Sequence, residues 1–182
     1  MNSIKVYITL ILNFFAVYMC IFDNNLLNYV YYIMAIYFSI DCFLLEDNLM
    51  ILHHLASLSL ILNHFFNDYD DKIISFGLDT LMYGEISSIF LSLKHIFKDT
   101  KYELPIGLIF AVAFFYFRTY KLTVAIFNPM MLDVFSTDVF VESKIFGIVI
   151  LLYLNYLWTY QILNLMFKLL KSVKLITKEQ CK

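Results

Sequence analysis

Six long apolar stretches limit the folds open to this chain of 182 residues more than any other feature. Each has about the 17 to 25 residues that an α-helix needs to cross a bilayer. The stretches are residues 6–22, 26–45, 48–66, 73–93, 106–127 and 145–167. Hydrophobic residues make up 62% of the chain, well above the roughly 45 to 50% of soluble domains. The sequence therefore predicts an all-α integral membrane protein, a six-transmembrane-helix bundle or barrel.

The connections between these stretches are too short for an additional soluble domain of ordinary size. We therefore expect one membrane domain over residues 1–167, followed by a basic tail over residues 168–182. Membrane lipids are the expected partners, and no nucleic acid is expected.

The lysines predict the orientation of the chain, because cytoplasmic loops carry the excess of positive charge. In a six-span arrangement, one side holds Lys5, Lys94, Lys98, Lys101, Lys168, Lys171, Lys174, Lys178 and Lys182. The other side holds only Lys72 and Lys144. Both termini are therefore expected in the cytoplasm, where the basic tail would rest on an anionic membrane surface.

Several ionisable residues lie within the apolar stretches, where a charge costs roughly 2.5 to 3.5 kcal/mol at the middle of a helix. They include Asp41, the adjacent pair His53 and His54, Asp79, Glu85, Arg118 and Lys121. A purely structural membrane helix needs none of them, so the sequence predicts a buried polar site inside the bundle.

Depth along each helix predicts which of these groups meet, since each residue advances the helix by about 1.5 Å. From the cytoplasmic side, Asp41 lies roughly 6 Å deep, the histidines roughly 8 to 9 Å, and Glu85 roughly 12 Å. These four side chains are our catalytic candidates: His53, His54, Glu85 and Asp41.

The remaining buried charges are expected to pair with one another. Asp79 and Arg118 come out at roughly 21 and 18 Å, which predicts an ion pair of Asp79 with Arg118 or Lys121. Small residues at Thr80, Gly84 and Ser88 recur every four positions, which predicts close helix packing there.

Histidine can exchange protons at neutral pH, so a base at His53 or His54 could activate an amine or hydroxyl against an acyl thioester. Acyl-CoA would then be the co-substrate, and no other cofactor is expected. Alternatively, the histidines only form hydrogen bonds between helices, or the polar groups belong to a transport or interaction protein. Four histidines are too few for a di-iron centre, and no metal site is predicted.

Five segments resemble the TLC domain that ceramide synthases share with several smaller membrane proteins. They are YFSID at 37–41, residues 47–54 with the histidine pair, GEISSIF at 84–90, FFYFR at 114–118 and WTYQI at 158–162. The resemblance implies about six helices around a polar cavity that opens to the cytoplasm, in the endoplasmic reticulum or another endomembrane. It also implies a role in lipid metabolism or lipid homeostasis.

In ceramide synthases the paired histidines belong to the active site, which by resemblance assigns that role to His53 and His54. Those enzymes carry a further His-Asp pair on the next helix, whereas residues 83–87 here read YGEIS, closer to the smaller TLC-domain proteins. The leading hypothesis is therefore a protein that binds lipid and affects membrane lipid composition, and the alternative is an acyl-CoA-dependent lipid acyltransferase. The substrate-binding candidates are Asp47, Ser57, Asp79, Arg118 and Trp158.

Overall fold

The computed structural model describes residues 3–22, 27–44, 47–66, 71–128 and 141–180, which form helices and, within these ranges, no strand. The helices are α1 Ser3–Phe22, α2 Leu27–Leu44, α3 Asn48–Phe66, α4 Asp71–Ile96, α5 Glu103–Ile126 and α6 Val141–Gln180. Each predicted apolar stretch corresponds to one helix, so the all-α fold class is confirmed for the described residues.

The helices are arranged as a closed ring rather than as a row of hairpins. Going round the ring, α1 packs on α2, α2 on α3, α3 on α6, α6 on α5, α5 on α4, and α4 again on α1. Contacts between sequential neighbours show that these neighbours are antiparallel: Lys5 near the start of α1 meets Asp41 near the end of α2, and Lys94 near the end of α4 lies beside Gly107 near the start of α5. We call the end of the ring at which α1, α3 and α5 begin the polar end.

Polar contacts join most neighbouring pairs in the ring. Lys5 and Thr9 of α1 reach Asp41 and Tyr37 of α2. The side-chain amide of Asn63 in α3 donates to Ser143 of α6 at 2.9 Å, and the hydroxyls of Thr119 in α5 and Thr159 in α6 lie 2.8 Å apart. Since each bond satisfies groups that hydrocarbon could not, these contacts help to hold the ring in one arrangement.

The outside of the ring is apolar, and polar side chains are buried inside it together with apolar ones. Large apolar side chains cover the outside of the ring, and Phe43 for example is 90% exposed. The buried polar residues are Asn13, Asp41, His53, His54, Ser57, Asn63, Glu85, Ser87, Ser92, Arg118, Lys144 and Asn155. An apolar exterior of this extent fits a lipid environment, where it has no exposure cost.

Two helices are long and apolar enough to cross a membrane by length and composition: α5 and the Val141–Lys168 part of α6. Shorter apolar helices cover Ile4–Met19, Tyr29–Leu44 and Asn48–Asn63. Helix α6 continues for 40 residues through the predicted boundary of the basic tail. At about 1.5 Å per residue it is roughly twice as long as the hydrocarbon core is thick.

The middle of α5, Phe114–Lys121, is π-helical. A π-helical segment widens the helix by adding residues to each turn, and such segments occur frequently at functional sites. Here the segment carries Arg118, which is buried and points between α4 and α6. The wider turn therefore positions the one arginine of α5 inside the ring.

Gly77 and Gly147 permit close contacts between helices, whereas Gly84, for which the sequence predicts such a contact, does not make one. A Cβ atom at Gly147 would lie 2.5 Å from the hydroxyl of Ser59 and 3.0 Å from the carbonyl oxygen of Ala56, and one at Gly77 would lie 2.5 Å from the hydroxyl of Tyr31. A Cβ at Gly84 would meet nothing within 4 Å. The predicted packing role of Gly84 is therefore wrong, because the space beside this residue is open.

Candidate functional site

Lys5, Asp41 and His54 connect three helices at the polar end of the ring. Nζ of Lys5 lies 2.7 Å from Oδ1 of Asp41, and Nδ1 of His54 lies 3.4 Å from Oδ2 of the same carboxylate. The His54 contact is electrostatic, since its Nδ1 atom lacks the alignment of a hydrogen bond. One carboxylate of α2 thus neutralises the ammonium of α1 and faces the imidazole of α3.

His53 is buried on the other side of α3, where it packs edge-on against Trp158 of α6 with ring centroids 5.3 Å apart. The rings of His53 and His54 are 5.5 Å apart. Within the part of the chain that the structure describes, Nδ1 of His53 has no hydrogen-bond partner. A buried imidazole nitrogen without a partner is costly, so this position is a candidate for a functional group.

Arg118 of α5 binds two groups of α4. Its Nε donates to the carbonyl oxygen of Gly84 at 3.1 Å, and its Nη2 donates to the hydroxyl of Ser88 at 2.9 Å. The guanidinium also lies over the ring of Phe114, 5.7 Å from the centroid. Glu85 is buried close enough to Arg118 for the two charges to interact through space.

A cavity of about 220 Å³ lies beside Arg118, between α3, α4, α5 and α6. Its lining consists of Met50, Ser87, Ser88, Leu91, Phe110, Phe114, Arg118, Trp158, Gln161 and Ile162. Because Met50, Leu91 and Phe110 lie near the polar ends of their helices, the cavity is at this end of the ring. Its walls are mainly apolar, and its polar lining consists of Arg118, the Ser88 hydroxyl that the guanidinium binds, Ser87 and Gln161.

The histidines do not line this cavity. Trp158 lines the cavity and also contacts His53, which lies outside the lining. Phe114 packs edge-on against Trp158, with ring centroids 6.5 Å apart. These two aromatic side chains therefore separate the cavity from the histidine pair. Among the described residues, no three histidine, cysteine or carboxylate side chains converge as a metal site requires.

Comparison with known protein families shows to which family the chain belongs. The sequence model of the TLC domain matches residues 5–164, most of the chain. This chain belongs to the TLC-domain family. Neither the curated proteins nor the solved structures include a match to it. The resemblance seen in the sequence is confirmed, and membership makes this TLC-domain protein a membrane protein related to lipids.

The predicted ion pair of Asp79 is not formed in this TLC-domain protein. Arg118 instead binds Gly84 and Ser88, and Lys121 lies over the ring of Tyr116. The reason is that helical side chains lean toward the N-terminus of their own helix. Since α4 and α5 are antiparallel, the side chain of Arg118 leans toward the polar end and that of Asp79 leans away from it.

The other predicted site residues fall into two groups. Asp41, His53, His54, Glu85, Arg118 and Trp158 meet inside the ring. Asp47 is exposed and caps α3, because its carboxylate accepts a hydrogen bond from the backbone N–H of Leu49 at 2.9 Å. Ser57 is buried on α3 outside the cavity lining, and Asp79 is exposed.

Sequence reasoning missed Lys5 and Tyr37 as members of the cluster. Lys5 lies near the start of α1 and Asp41 near the end of α2, so the depth count that places Asp41 also places Lys5 at a similar level. Tyr37 lies one helical turn before Asp41, and its hydroxyl is 3.4 Å from the hydroxyl of Thr9. Lys5 lies just outside the first apolar stretch, so its position predicts orientation but no buried site.

Proposed function

We propose that this TLC-domain protein crosses an endomembrane six times, with both termini in the cytoplasm, and binds lipid in the cavity beside Arg118. By binding lipid there it affects the lipid composition of its membrane. The observation that carries this proposal is the cavity itself, a mainly apolar space with a buried arginine in its lining, inside a ring whose outer surface is apolar.

Helix length supports the six-span arrangement. Helices α1 to α4 contain 20, 18, 19 and 26 residues, and α5 contains 24. At about 1.5 Å per residue, each is close to or longer than the roughly 30 Å of the hydrocarbon core. The excess length of α6 lies in the basic tail, whose lysines we propose lie near the anionic surface of the cytoplasmic leaflet.

Lipid analysis of the purified protein tests the proposal. The wild type is purified in mild detergent, and its lipids are compared with those of the bulk membrane by mass spectrometry. We expect enrichment of one lipid class. Leu91→Trp should abolish it by filling the cavity, whereas Leu108→Trp, on the exposed face of α5, should retain it. Absence of enrichment in the wild type would count against the proposal.

A second candidate function, acyl-CoA-dependent lipid acyltransfer, is favoured by the pairing of His54 with Asp41. A carboxylate beside an imidazole can orient the ring and stabilise its protonated form, which is the arrangement of a general base. This function requires acyl-CoA and acceptor to reach a ring that Trp158 and Phe114 now separate from the cavity. Movement of these aromatic side chains would have to precede the reaction.

Substitution of the histidines tests the acyltransferase directly. His53→Ala and His54→Ala should each abolish product formation from acyl-CoA, while His95→Ala, an exposed histidine near the end of α4, should not. Expression and monodispersity of all three variants should match the wild type. If the double variant of His53 and His54 changes cellular lipids as much as the wild type does, the acyltransferase function is contradicted.

A further inference from the structure

Arg118 is the one charged residue in the lining of the cavity among the residues that the structure describes. It is only 8% exposed, so its charge is largely removed from solvent. A buried cation is stable only when a counter-charge and hydrogen-bond acceptors surround it. What surrounds Arg118 therefore indicates what the cavity can accept.

The hydrogen bonds of Arg118 leave part of its guanidinium unused. The group has five N–H donors. One donor binds the carbonyl oxygen of Gly84 and one binds the hydroxyl of Ser88, and both acceptors are neutral. Three donors thus have no acceptor among the described residues. Such a planar fork can bind a carboxylate or phosphate through two parallel hydrogen bonds.

Arg118 also lacks a close counter-ion. Lys5, by comparison, lies 2.7 Å from the carboxylate of Asp41. No described carboxylate lies within ion-pair distance of Arg118, and Glu85, which interacts with it through space, does not line the cavity. The face of the guanidinium toward the cavity is therefore left for an anion from outside the chain.

The rest of the lining fits the beginning of an acyl chain. Met50, Leu91, Phe110 and Ile162 supply apolar surface in the same cavity as the guanidinium. The volume of about 220 Å³ is below the roughly 300 to 1,000 Å³ of sites that enclose drug-sized ligands. A whole two-chain lipid cannot be enclosed, whereas an anionic head group and the first carbons of its chain can.

We infer that the cavity takes the anionic head group of a lipid, a carboxylate or a phosphate, with Arg118 as its counter-ion. This inference rests on the proposed lipid binding and names the class of lipid. The hydroxyl of Ser88 holds the guanidinium in place, and the amide of Gln161 lines the same space as a further neutral donor. The acyl chain begins along the apolar wall.

Trp158 provides a direct readout, because it is the single tryptophan of the chain and lines the cavity. The probe is stearate with bromine atoms at carbons 4 and 5, close enough to the carboxylate to lie in the cavity, where bromine quenches tryptophan fluorescence on contact. The matched uncharged probe is its methyl ester. The wild type in detergent should bind the acid at least about tenfold more tightly than the ester, as expected for a charge-assisted bidentate pair. Unbrominated stearate should restore the fluorescence.

Three variants test the role of the charge. Arg118→Gln should bring the affinities for acid and ester within about twofold of each other, because the charge-assisted contact is lost. Lys121→Gln, a change of the same kind on the same helix outside the cavity lining, should keep the preference. If Arg118→Gln does not fold, Gln161→Glu, at an exposed residue, should weaken binding of the acid and leave that of the ester unchanged.

The outcomes separate this inference from the proposed function. Equal binding of acid and ester by the wild type, or an unchanged preference in Arg118→Gln, would overturn the inference and leave lipid binding standing. Displacement of the probe by sodium acetate or inorganic phosphate as effectively as by stearate would show a site for small free anions and would also overturn it. Absence of quenching by either probe, together with absence of enriched lipid, would overturn the proposed function as well.

Discussion

Nδ1 of His54 lies 3.4 Å from Oδ2 of Asp41, so an imidazole of α3 faces a carboxylate of α2 inside the ring. The other oxygen of this carboxylate, Oδ1, lies 2.7 Å from the ammonium of Lys5. Asp41 therefore serves two neighbours on two different helices. Its charge matters for the stability of the ring as well as for any chemistry of His54.

Asp41→Asn should destabilise the protein, because it keeps the size of the side chain but removes the charge that neutralises Lys5. Hydrogen bonds to charged groups contribute about 1.5 to 3 kcal/mol, and we expect a loss in this range in the free energy of unfolding. Thermal unfolding in detergent measures it. Asp47→Asn is the matched control and should have little effect, since asparagine and aspartate cap helices about equally well.

Two glycine-to-alanine changes should have opposite effects on the stability of the protein. Gly147→Ala should destabilise the contact between α3 and α6, because the new Cβ would meet the backbone carbonyl of Ala56 at 3.0 Å. Gly84→Ala meets open space and should stabilise the helix by up to about 1 kcal/mol through its higher helix propensity. Comparison of the two melting temperatures checks this, and a destabilised Gly84→Ala would contradict the open space beside α4.

Asp79→Asn should leave the free energy of unfolding unchanged or raise it. Asp79 has no ion pair among the described residues, and its exposed carboxylate faces hydrocarbon in the proposed six-span arrangement, where a neutral amide is less costly. Ser88→Ala should cost about 1 to 3 kcal/mol, because it removes one of the two acceptors of the buried Arg118. The measurement is unfolding of both variants in the same detergent. A large loss of stability in Asp79→Asn would instead support the ion pair of Asp79 that depth alone predicts.

The six-span orientation can be tested by inserting glycosylation acceptor sites. A site inserted after Asp99, between α4 and α5, should remain unmodified because this loop is expected in the cytoplasm. A site inserted after residue 135, between α5 and α6, should be glycosylated in the lumen. The mobility of the tagged proteins on a gel reports the modification. The reverse pattern would contradict the orientation that the lysines predict.

The helices of this protein could be predicted from sequence because the signal is local. An apolar run of sufficient length is helical in a membrane, since every backbone group must be satisfied within the segment. The helix of Asn48–Phe66 accordingly has the bounds that were predicted. Helices α4 and α6 run further than predicted, because hydropathy marks only the apolar part of a helix.

The site was harder to predict because it depends on neighbours around the ring and on side-chain direction. Counting depth brought Asp41, His54 and Glu85 to similar levels, but it located Cα atoms only. For Arg118 the depth of the Cα atom does not predict the contacts, because the long side chain leans by more than a helical turn toward the polar end and reaches Gly84 and Ser88. The cavity depends on packing between α3 and α6, helices distant in sequence.

Untargeted analysis of cellular lipids tests the central claim, that the cavity gives this TLC-domain protein its effect on membranes. Cells lacking the protein are supplied with the wild type, with Leu91→Trp or with Leu108→Trp at equal expression. We predict that the wild type and Leu108→Trp produce the same shift in lipid composition and that the cavity-filling Leu91→Trp produces none. A shift of equal size from Leu91→Trp would contradict the account.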